Sequence, residues 1–227
     1  DYTGDGNVDM VTSSQTADKL YLVEGLGGGT FKTAFTNVTQ ASAPTWLDLA
    51  DIDGDGDLDL LVSLATSNCI ARRLNSSGSF GSATCVISGV SSRPVGGDFD
   101  NDGQDEVAYI SGGAITVVEF NGSGNFLSST TLTTSALTTV SSVSAYDIDD
   151  DGDDDLLAFG TGSGGTALVS YLDYYDDYAS LTECAVGDGL SEGGLAAGDF
   201  DDDGVPDFAT ASICNACAST YTTWLND

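Results

Sequence analysis

A chain of 227 residues with 36 acidic and five basic side chains carries a formal net charge of −31, which makes nucleic acid and anionic membranes poor partners. It contains no histidine, so the Ser-His-Asp triad and His-ligated zinc are excluded. Abundant glycine, serine and threonine favour short strands joined by tight turns, and the chain is expected to be all-β with little helix. The basic residues are Lys19, Lys32, Arg72, Arg73 and Arg93.

The acidic residues are concentrated in five nine-residue windows, which read DYTGDGNVD, DIDGDGDLD, DFDNDGQDE, DIDDDGDDD and DFDDDGVPD. The windows start at Asp1, Asp51, Asp98, Asp147 and Asp199 and hold 25 of the 36 acidic residues. A halophile surface would spread this charge along the chain, and a disordered acidic tail would place it at one end. The charge is therefore local and belongs to a repeated motif.

The windows recur at intervals of 50, 47, 49 and 52 residues, and a period near 50 is typical of β-propeller blades. From Pro44 onwards, PTWLDLADID is predicted to be the strand that leads into the window and LDLLVSLA the strand that follows it. IARRLN and FGSATCVIS are the predicted third and fourth strands. The next unit repeats this order as RPVGGDFD, EVAYIS, AITVVEFN and FLSSTTLT, with glycine and serine at the turns and alternation in the strands. We predict one β-propeller domain over residues 1–227, built from about five four-stranded blades.

The terminal blades are expected to be incomplete in this chain. Residue 1 already lies inside a window, and the final TYTTWLND reads as the third strand of its unit. The chain is interpreted as a piece of a longer protein, or as one whose partial blades are completed by other sequence. DYTGDGNVDM does not resemble a signal peptide, and no apolar run approaches the roughly 20 residues of a membrane span, so no membrane insertion is expected within this chain.

Each window offers oxygen donors at fixed positions. Positions 1, 3, 5 and 9 are acidic throughout except at Thr3, which offers a hydroxyl, and position 6 is always glycine, as expected where a loop wraps an ion. Position 7 shares no side-chain chemistry, which is expected if its backbone carbonyl binds. Oxygen donors without nitrogen or sulfur select Ca²⁺ over transition metals, and Mg²⁺ prefers more water and tighter octahedral geometry. Up to five Ca²⁺ ions, one per window, are therefore predicted.

Three other interpretations of the windows explain the pattern less well. An EF-hand loop has twelve residues, ends in glutamate and lies between helices, whereas the last acid here is at position 9 and the flanks are strand-like. A glycine- and aspartate-rich β-roll would repeat far more densely. Acidic turns without a metal are the simplest alternative because Asp, Asn and Gly favour turns, but turn propensity does not require an acid at position 9 five times.

The window D-x-D-x-D-G-x-x-D, in units that end in GSFGSATCVISG or GGGTFKTAFTNV, resembles the FG-GAP and VCBS repeats of integrin-α-like β-propellers. The resemblance covers essentially the whole chain. It implies four antiparallel strands per blade around a central axis, with calcium in the hairpin loop between the first two strands. Glu106 departs from the usual aspartate, and Thr3 makes the first site the weakest candidate.

Carried over by position, the resemblance implies one set of side-chain ligands per window. These are Asp1, Thr3, Asp5 and Asp9; Asp51, Asp53, Asp55 and Asp59; Asp98, Asp100, Asp102 and Glu106; Asp147, Asp149, Asp151 and Asp155; and Asp199, Asp201, Asp203 and Asp207. The backbone carbonyls expected at position 7 belong to Asn7, Asp57, Gln104, Asp153 and Val205.

Cysteines and glycosylation sequons favour an oxidising, extracellular compartment. Cys69 and Cys85 lie in neighbouring predicted strands and could pair within the blade. Cys214 and Cys217 form a C-x-x-C motif without a second pair or a following histidine, so a local disulfide is favoured over zinc or haem. Cys184 is then unpaired, or it bonds Cys214 or a residue outside this chain. The sequons are at Asn37, Asn75 and Asn121.

Two aromatic features have competing interpretations. The segment YLDYYDDY could bind a sugar or a protein through its tyrosines, but an elaborated loop of the longest repeat is the simpler interpretation. Trp46 and Trp224 lie in predicted strands and are expected to be in the core. The tyrosines are Tyr171, Tyr174, Tyr175 and Tyr178.

The sequence thus predicts a secreted or surface-displayed, calcium-stabilised propeller with a role in adhesion, scaffolding or recognition. Its expected partner is a protein or glycan ligand on a cell surface or matrix, and self-assembly is a further option. A lectin-like propeller and an accessory domain of a polysaccharide-active enzyme are the alternatives. No catalytic residue or further cofactor site is assigned, because histidine is absent and calcium accounts for the clustered carboxylates.

Overall fold

The computed structural model describes residues 1–132, 137–148, 151–162, 166–172, 184–188, 191–200, 207–213 and 220–224. Twenty strands lie in these ranges, joined by turns and bends. No helix occurs among these residues, and hence none that is long and apolar enough to cross a membrane.

The strands form five sheets in chain order and one short hairpin. The first sheet has the order β1-β2-β5, with β1 at Met10–Ser14, β2 at Lys19–Val23 and β5 at Thr36–Thr39, and the hairpin consists of β3 (Gly25–Gly27) and β4 (Thr30–Phe31). The second sheet contains β6 (Pro44–Ala50), β7 (Asp59–Leu64), β8 (Cys69–Arg73) and β9 (Thr84–Ser88). The third contains β10 (Pro94–Gly97), β11 (Glu106–Ser111), β12 (Ala114–Asn121) and β13 (Asn125–Leu132).

The remaining two sheets follow the same plan. The fourth contains β14 (Leu137–Tyr146), β15 (Asp155–Gly162), β16 (Thr166–Leu172) and β17 (Cys184–Asp188), and the fifth contains β18 (Ser191–Gly198), β19 (Asp207–Ile213) and β20 (Thr220–Trp224). Three sheets of four strands, preceded and followed in the chain by sheets of three, match the predicted blades. The all-β propeller class is confirmed for the described residues.

The chain divides into two compact units. Unit 1 comprises residues 1–96, 104–107 and 118–128, and unit 2 comprises residues 97–103, 108–117 and 129–227. The single propeller domain over residues 1–227 stays a prediction.

In unit 1, the core lies between the first and second sheets. Leu20 of β2 packs with Leu60 and Val62 of β7 and with Cys69 and Ala71 of β8, all of them buried. Every residue of β7 and β8 is buried, so these strands are covered on both faces. The alternation expected from the sequence is therefore absent here, as is usual where neither face of a strand meets water.

In the described part of unit 2, β14 and β15 contribute many of the buried residues. The first six residues of β15, from Asp155 to Gly160, are buried, and Val140 and Val143 of β14 are buried beside them. The two strands pair antiparallel, with Tyr146 opposite Asp155. This pairing brings both ends of the fourth window to the same edge of the sheet.

The expectation that Trp46 lies in the core is wrong, because 52% of Trp46 is exposed. Pro44 pairs with Leu64 and Leu47 with Val62, so β6 holds one residue more than β7 over this stretch. Such a bulge breaks the alternation that the prediction assumed, and Trp46 faces solvent as a result. The side chain of Trp224 lies outside the described residues.

A disulfide joins Cys69 of β8 to Cys85 of β9, with their Cα atoms 6.0 Å apart. This confirms the pairing suggested between neighbouring strands of one blade, which is the second sheet. Outside the described residues lie the side chains of Cys184 in β17 and Tyr171 in β16, together with all of Cys214, Cys217, Tyr174, Tyr175 and Tyr178.

Candidate metal centre

The acidic windows, here called loop 1 (residues 1–9), loop 2 (51–59), loop 3 (98–106), loop 4 (147–155) and loop 5 (199–207), occupy equivalent places in the sheets. Loops 2 to 5 each connect the first strand of a sheet to the second. In each of them the acid at position 9 is the first residue of the second strand and is at most 3% exposed. Position 9 therefore places a carboxylate where the loop meets the second strand, at the buried first residue of that strand. These four acids are Asp59, Glu106, Asp155 and Asp207.

In loops 1 to 4, the carboxylate at position 1 accepts hydrogen bonds from backbone N–H groups of its own loop. In loop 2, Asp51 Oδ1 accepts from the N–H groups of Gly54 (2.9 Å) and Asp55 (3.1 Å), and Oδ2 accepts from Gly56 (2.8 Å). Asp98 does the same in loop 3, where Gly103 N–H donates to its Oδ2 at 3.0 Å. The loop backbone is thus wrapped around the carboxylate at position 1.

Glycine at position 6, expected where a loop wraps an ion, adopts the left-handed conformation. The φ angles are 85° at Gly6, 89° at Gly56, 87° at Gly103 and 103° at Gly152, and Gly204 lies outside the described residues. Position 4 is also left-handed, at Gly4, Gly54 and Asn101, which the sequence analysis did not anticipate. Two left-handed residues in nine make the turn tight enough to bring positions 1, 3 and 9 together.

Asp51, Asp53 and Asp59 present one carboxylate oxygen each, and these three oxygens lie within 4.8 Å of one another. Asp98, Asp100 and Glu106 form the corresponding group of loop 3. Two oxygens bound to one calcium-sized ion at about 2.3–2.6 Å can be at most about 5 Å apart. The spacing therefore fits a single hard cation, and these acidic groups could hold one.

Two oxygens of loop 2 lack the partners that buried carboxylates normally have. Asp59 is fully buried, and its Oδ1 accepts from the N–H of Asn75 at 2.7 Å. Asp59 Oδ2 and Asp53 Oδ1 are buried without a hydrogen-bond partner in the described part of the chain. Asp147 Oδ1 in loop 4 is in the same situation. Unpaired buried carboxylates are costly, and a bound cation would remove this cost.

The electrostatics of loop 2 lead to the same conclusion. The pKa of Asp59 is raised to about 7, chiefly by burial and to a lesser degree by the carboxylates of Asp53, Asp55 and Asp51, against the opposing hydrogen bond from Asn75. Burial, Asp55 and Asp51 also raise the pKa of Asp53. A cation among these groups would reverse both shifts, since it favours the ionised forms.

The side chains at position 7 make three unrelated contacts. Asp57 Oδ2 accepts from Ser77 N–H at 2.8 Å, Gln104 Nε2 donates to the carbonyls of Ile52 (2.8 Å) and Phe120 (3.0 Å), and Asn7 Nδ2 donates to Asp5 Oδ1 at 3.0 Å. This variety agrees with a shared role for the backbone alone. The assignment of the position-7 carbonyls as ligands stays a prediction.

Loops 1, 4 and 5 share parts of this geometry. The position-9 carboxylates accept from N–H groups at the start of their own loops, from Thr3 to Asp9 (3.1 Å), from Ile148 to Asp155 (2.9 Å) and from Phe200 to Asp207 (2.9 Å). Asp1 is wrapped like Asp51, with Gly4 N–H donating to it at 2.8 Å, and Asp151 accepts from Asp153 N–H at 3.3 Å. Asp149, Asp201, Asp203 and Val205 lie outside the described residues, whereas Asp199 lies directly after β18.

The sequence analysis missed positions 2 and 8. Position 2 is Tyr2, Ile52 or Phe99 in the first three loops and is buried in each, and its apolar character in every window would have been a sufficient signal. Position 8 varies among the windows and gives no such signal. Yet Asp105 at position 8 of loop 3 accepts a hydrogen bond from Asp51 N–H at 2.7 Å.

The repeated loop-and-sheet unit matches a known family, the FG-GAP-like repeat, over residues 1–62 and 98–158, which is more than half of the chain. The chain belongs to the FG-GAP-like repeat family. The resemblance in the acidic windows is thereby confirmed for this FG-GAP repeat protein. A comparison with curated proteins gave no match.

Solved structures similar to this FG-GAP repeat protein share its fold. They include a lectin from Agrocybe aegerita that recognises non-reducing terminal N-acetylglucosamine (TM-score 0.62, 17% identity, 100% of this chain and 65% of the lectin). They also include the Tc holotoxin pore of Photorhabdus luminescens, with a TM-score of 0.58 and 19% identity over 99% of this chain and 11% of the pore chain. A third is an endo-arabinase from Bacteroides thetaiotaomicron, with a TM-score of 0.52 and 12% identity over 96% of this chain and 93% of the arabinase. The chain spans less than two thirds of the lectin and about a tenth of the pore chain.

Proposed function

We propose that this FG-GAP repeat protein is an extracellular, calcium-stabilised β-propeller that serves adhesion, scaffolding or recognition. The observation that carries the proposal is the buried Oδ2 of Asp59, which has no partner among the described residues and belongs to the three-carboxylate group with Asp51 and Asp53. An oxygen-only, strongly negative group of this size offers the donors that Ca²⁺ prefers.

Calcium in this proposal is structural. In loop 2, the ion would be held by Asp51, Asp53 and Asp59, and it would supply positive charge that ties the loop to the first residue of β7. Extracellular calcium modules work with dissociation constants of roughly 10⁻⁴ to 10⁻³ M, so the millimolar calcium outside cells would keep such loops filled. The Cys69–Cys85 disulfide supports an oxidising, extracellular location.

Isothermal titration of CaCl₂ into metal-free protein tests the proposal. The wild-type chain should bind up to five ions, and Asp59→Asn should lose one of them. Asp18→Asn is the matched control, because Asp18 is an exposed carboxylate outside the loops that accepts a hydrogen bond from Ala43 N–H. Absence of calcium binding by the wild-type chain, or equal binding by Asp59→Asn and wild type, would overturn the proposal.

A second candidate function is glycan recognition, favoured by the exposed Trp46 at the bulge of β6. Aromatic faces that are left in solvent provide platforms for sugar rings, bulges often re-aim side chains next to binding sites, and one structure of the same fold is a lectin. A glycan array with wild type and Trp46→Ala distinguishes the candidates. Sugar-specific binding that is lost in Trp46→Ala supports recognition of glycans, whereas no binding supports a scaffold.

We further propose that the chain is not itself an enzyme, although it could accompany a polysaccharide-active one. The absence of histidine supports this, because histidine is the commonest general base. Hydrolysis assays on arabinan and related polysaccharides check it, and turnover by the isolated chain would contradict it.

A further inference from the structure

Hydrogen bonds of two residues of loop 3, Gln104 and Asp105, join loop 3 to loop 2. Asp105 N–H donates to the carbonyl of Asp51 at 3.0 Å, and Asp51 N–H donates back to Asp105 Oδ2 at 2.7 Å. Gln104 Nε2 donates to the carbonyl of Ile52 at 2.8 Å. All four residues belong to unit 1. The backbone of Asp51 is thus held at both its N–H and its carbonyl by one residue of the neighbouring loop.

The position of Asp51 matters because its carboxylate has two tasks in loop 2. It accepts the N–H groups of Gly54, Asp55 and Gly56, which shape the loop, and it contributes one oxygen to the group with Asp53 and Asp59. A shift of the Asp51 backbone would therefore disturb both the turn and the proposed ion site.

Asp105 lies between two residues that the pattern assigns to the ion of loop 3. Gln104 is at position 7, where the backbone carbonyl is expected to bind, and Glu106 at position 9 is 3% exposed and belongs to the acidic group of that loop. Asp105 belongs to neither acidic group. Binding in loop 3 would fix the segment 104–106 on both sides of Asp105.

We propose that Asp105 is a positioning residue that couples calcium binding in loop 2 to calcium binding in loop 3. An ion in loop 3 orders residues 104–106, this holds Asp51 in its binding position, and the calcium affinity of loop 2 rises. By thermodynamic reciprocity, an ion in loop 2 raises the affinity of loop 3 by the same factor. This inference rests on the proposed calcium function.

The neighbouring loops show how specific this arrangement is. In loop 4, position 8 is also an aspartate, Asp154, and its N–H donates to the carbonyl of Asp98 at 2.8 Å. In loop 2, position 8 is Leu58, which has no carboxylate. There Asn75 Nδ2 instead donates to the carbonyls of Tyr2 (2.8 Å) and Leu58 (3.0 Å). Leu58 therefore has no side-chain oxygen that could accept from a backbone N–H of a neighbouring loop, as Asp105 does.

The test is a CaCl₂ titration of the ¹⁵N-labelled full chain, followed through two backbone amides. Gly56 N–H donates to Asp51 and reports on loop 2, and Gly103 N–H donates to Asp98 and reports on loop 3. Asp102→Ala removes an expected side-chain ligand of loop 3 and none of loop 2, and it should raise the calcium concentration at the Gly56 midpoint by about fivefold or more, the lower end of typical couplings. Asp105→Ala should raise the calcium concentration at the Gly56 midpoint by a similar factor. Adding Asp102→Ala to Asp105→Ala should raise it no further.

Asp105→Asn separates hydrogen bonding from charge. Its amide oxygen can still accept from Asp51 N–H, so it should keep a midpoint at Gly56 within about twofold of wild type if the hydrogen bond provides the coupling. An unchanged midpoint in Asp105→Ala, or an equal loss in Asp105→Asn and Asp105→Ala, would overturn the inference while calcium binding itself stands. If neither glycine responds to calcium in the wild-type chain, the proposed function fails and the coupling fails with it.

Discussion

Asn75 holds Asp59 in place: its backbone N–H donates to Asp59 Oδ1 at 2.7 Å, while Asp59 Oδ2 keeps no partner among the described residues. The Asn75 side chain also donates to the carbonyls of Tyr2 and Leu58 and accepts from Gly78 N–H. One asparagine between β8 and β9 therefore fixes the buried acid of loop 2 and links it to loop 1. It is 4% exposed.

This burial predicts which sequons carry glycans. Asn37 and Asn121 are exposed, whereas both N–H bonds of the Asn75 amide are used inside the protein. Folded protein secreted from a eukaryotic host should carry glycans only at Asn37 and Asn121 among these three sites. Peptide mass spectrometry after enzymatic deglycosylation checks this, and a glycan on Asn75 in folded material would contradict the hydrogen bonds described here.

Asp55 and Asp57 should differ sharply in their importance for calcium. Asp55→Asn removes an expected charged ligand at position 5 and should weaken loop 2 at least about tenfold, or about 1.4 kcal/mol. Asp57 already uses its carboxylate on Ser77 N–H, and an asparagine there can accept the same bond, so Asp57→Asn should weaken binding by less than about threefold. Calcium titration of both variants measures the difference, and equal losses would show that Asp57 binds through its side chain.

The raised pKa of Asp59 predicts an unusual pH dependence for the metal-free protein. Its folded value of about 7 lies above the ordinary 3.8, so between these values the native state binds more protons than the unfolded chain. The stability that Asp59 contributes is therefore complete below about pH 4 and is lost as the pH rises through about 7. With calcium bound, the ionised form is favoured and this loss should disappear.

Urea unfolding of resin-stripped protein at about pH 4.5 and about pH 7.5 measures this effect. The many other carboxylates also repel one another more at higher pH, so Asp59→Asn is the necessary control. The fall in stability from low to high pH should be smaller in Asp59→Asn than in wild type. An equal fall in both proteins would mean that Asp59 titrates normally.

The Cys69–Cys85 disulfide should contribute measurably to stability. It closes a segment with a sequence separation of 16 residues, and a loop of that length corresponds to about 3 kcal/mol in the chain-entropy account. The double variant Cys69→Ser with Cys85→Ser should lose about this much in urea unfolding, and reduced wild type should behave like it. Equal stability of the oxidised and reduced proteins would contradict this expectation.

Much of the fold could be predicted because each repeat is a local pattern. The segments EVAYIS and AITVVEFN are β11 and β12 with the predicted bounds, since glycine and serine turns delimit them. The acid at position 9 could be assigned to the window, but its place as the first buried residue of the next strand is visible only in the structure.

The rest depends on contacts between residues that are distant in the chain. Asp105 and Asp51 are joined over 54 positions, and no local pattern marks such a pair. Trp46 is exposed because of a one-residue bulge, which a period-two pattern cannot reveal. Asn75 matches a sequon in the sequence but is a buried link between loops in the structure.

Thermal unfolding in calcium and in chelator tests the central claim most directly. An ion at about 100 times its dissociation constant stabilises by about 2.7 kcal/mol per loop, which corresponds to roughly 5 °C or more in Tm for a chain of this size. The account predicts that chelation lowers Tm by at least this amount, that added calcium restores it, and that Asp59→Asn shows a smaller shift. An unchanged Tm in chelator would contradict the account.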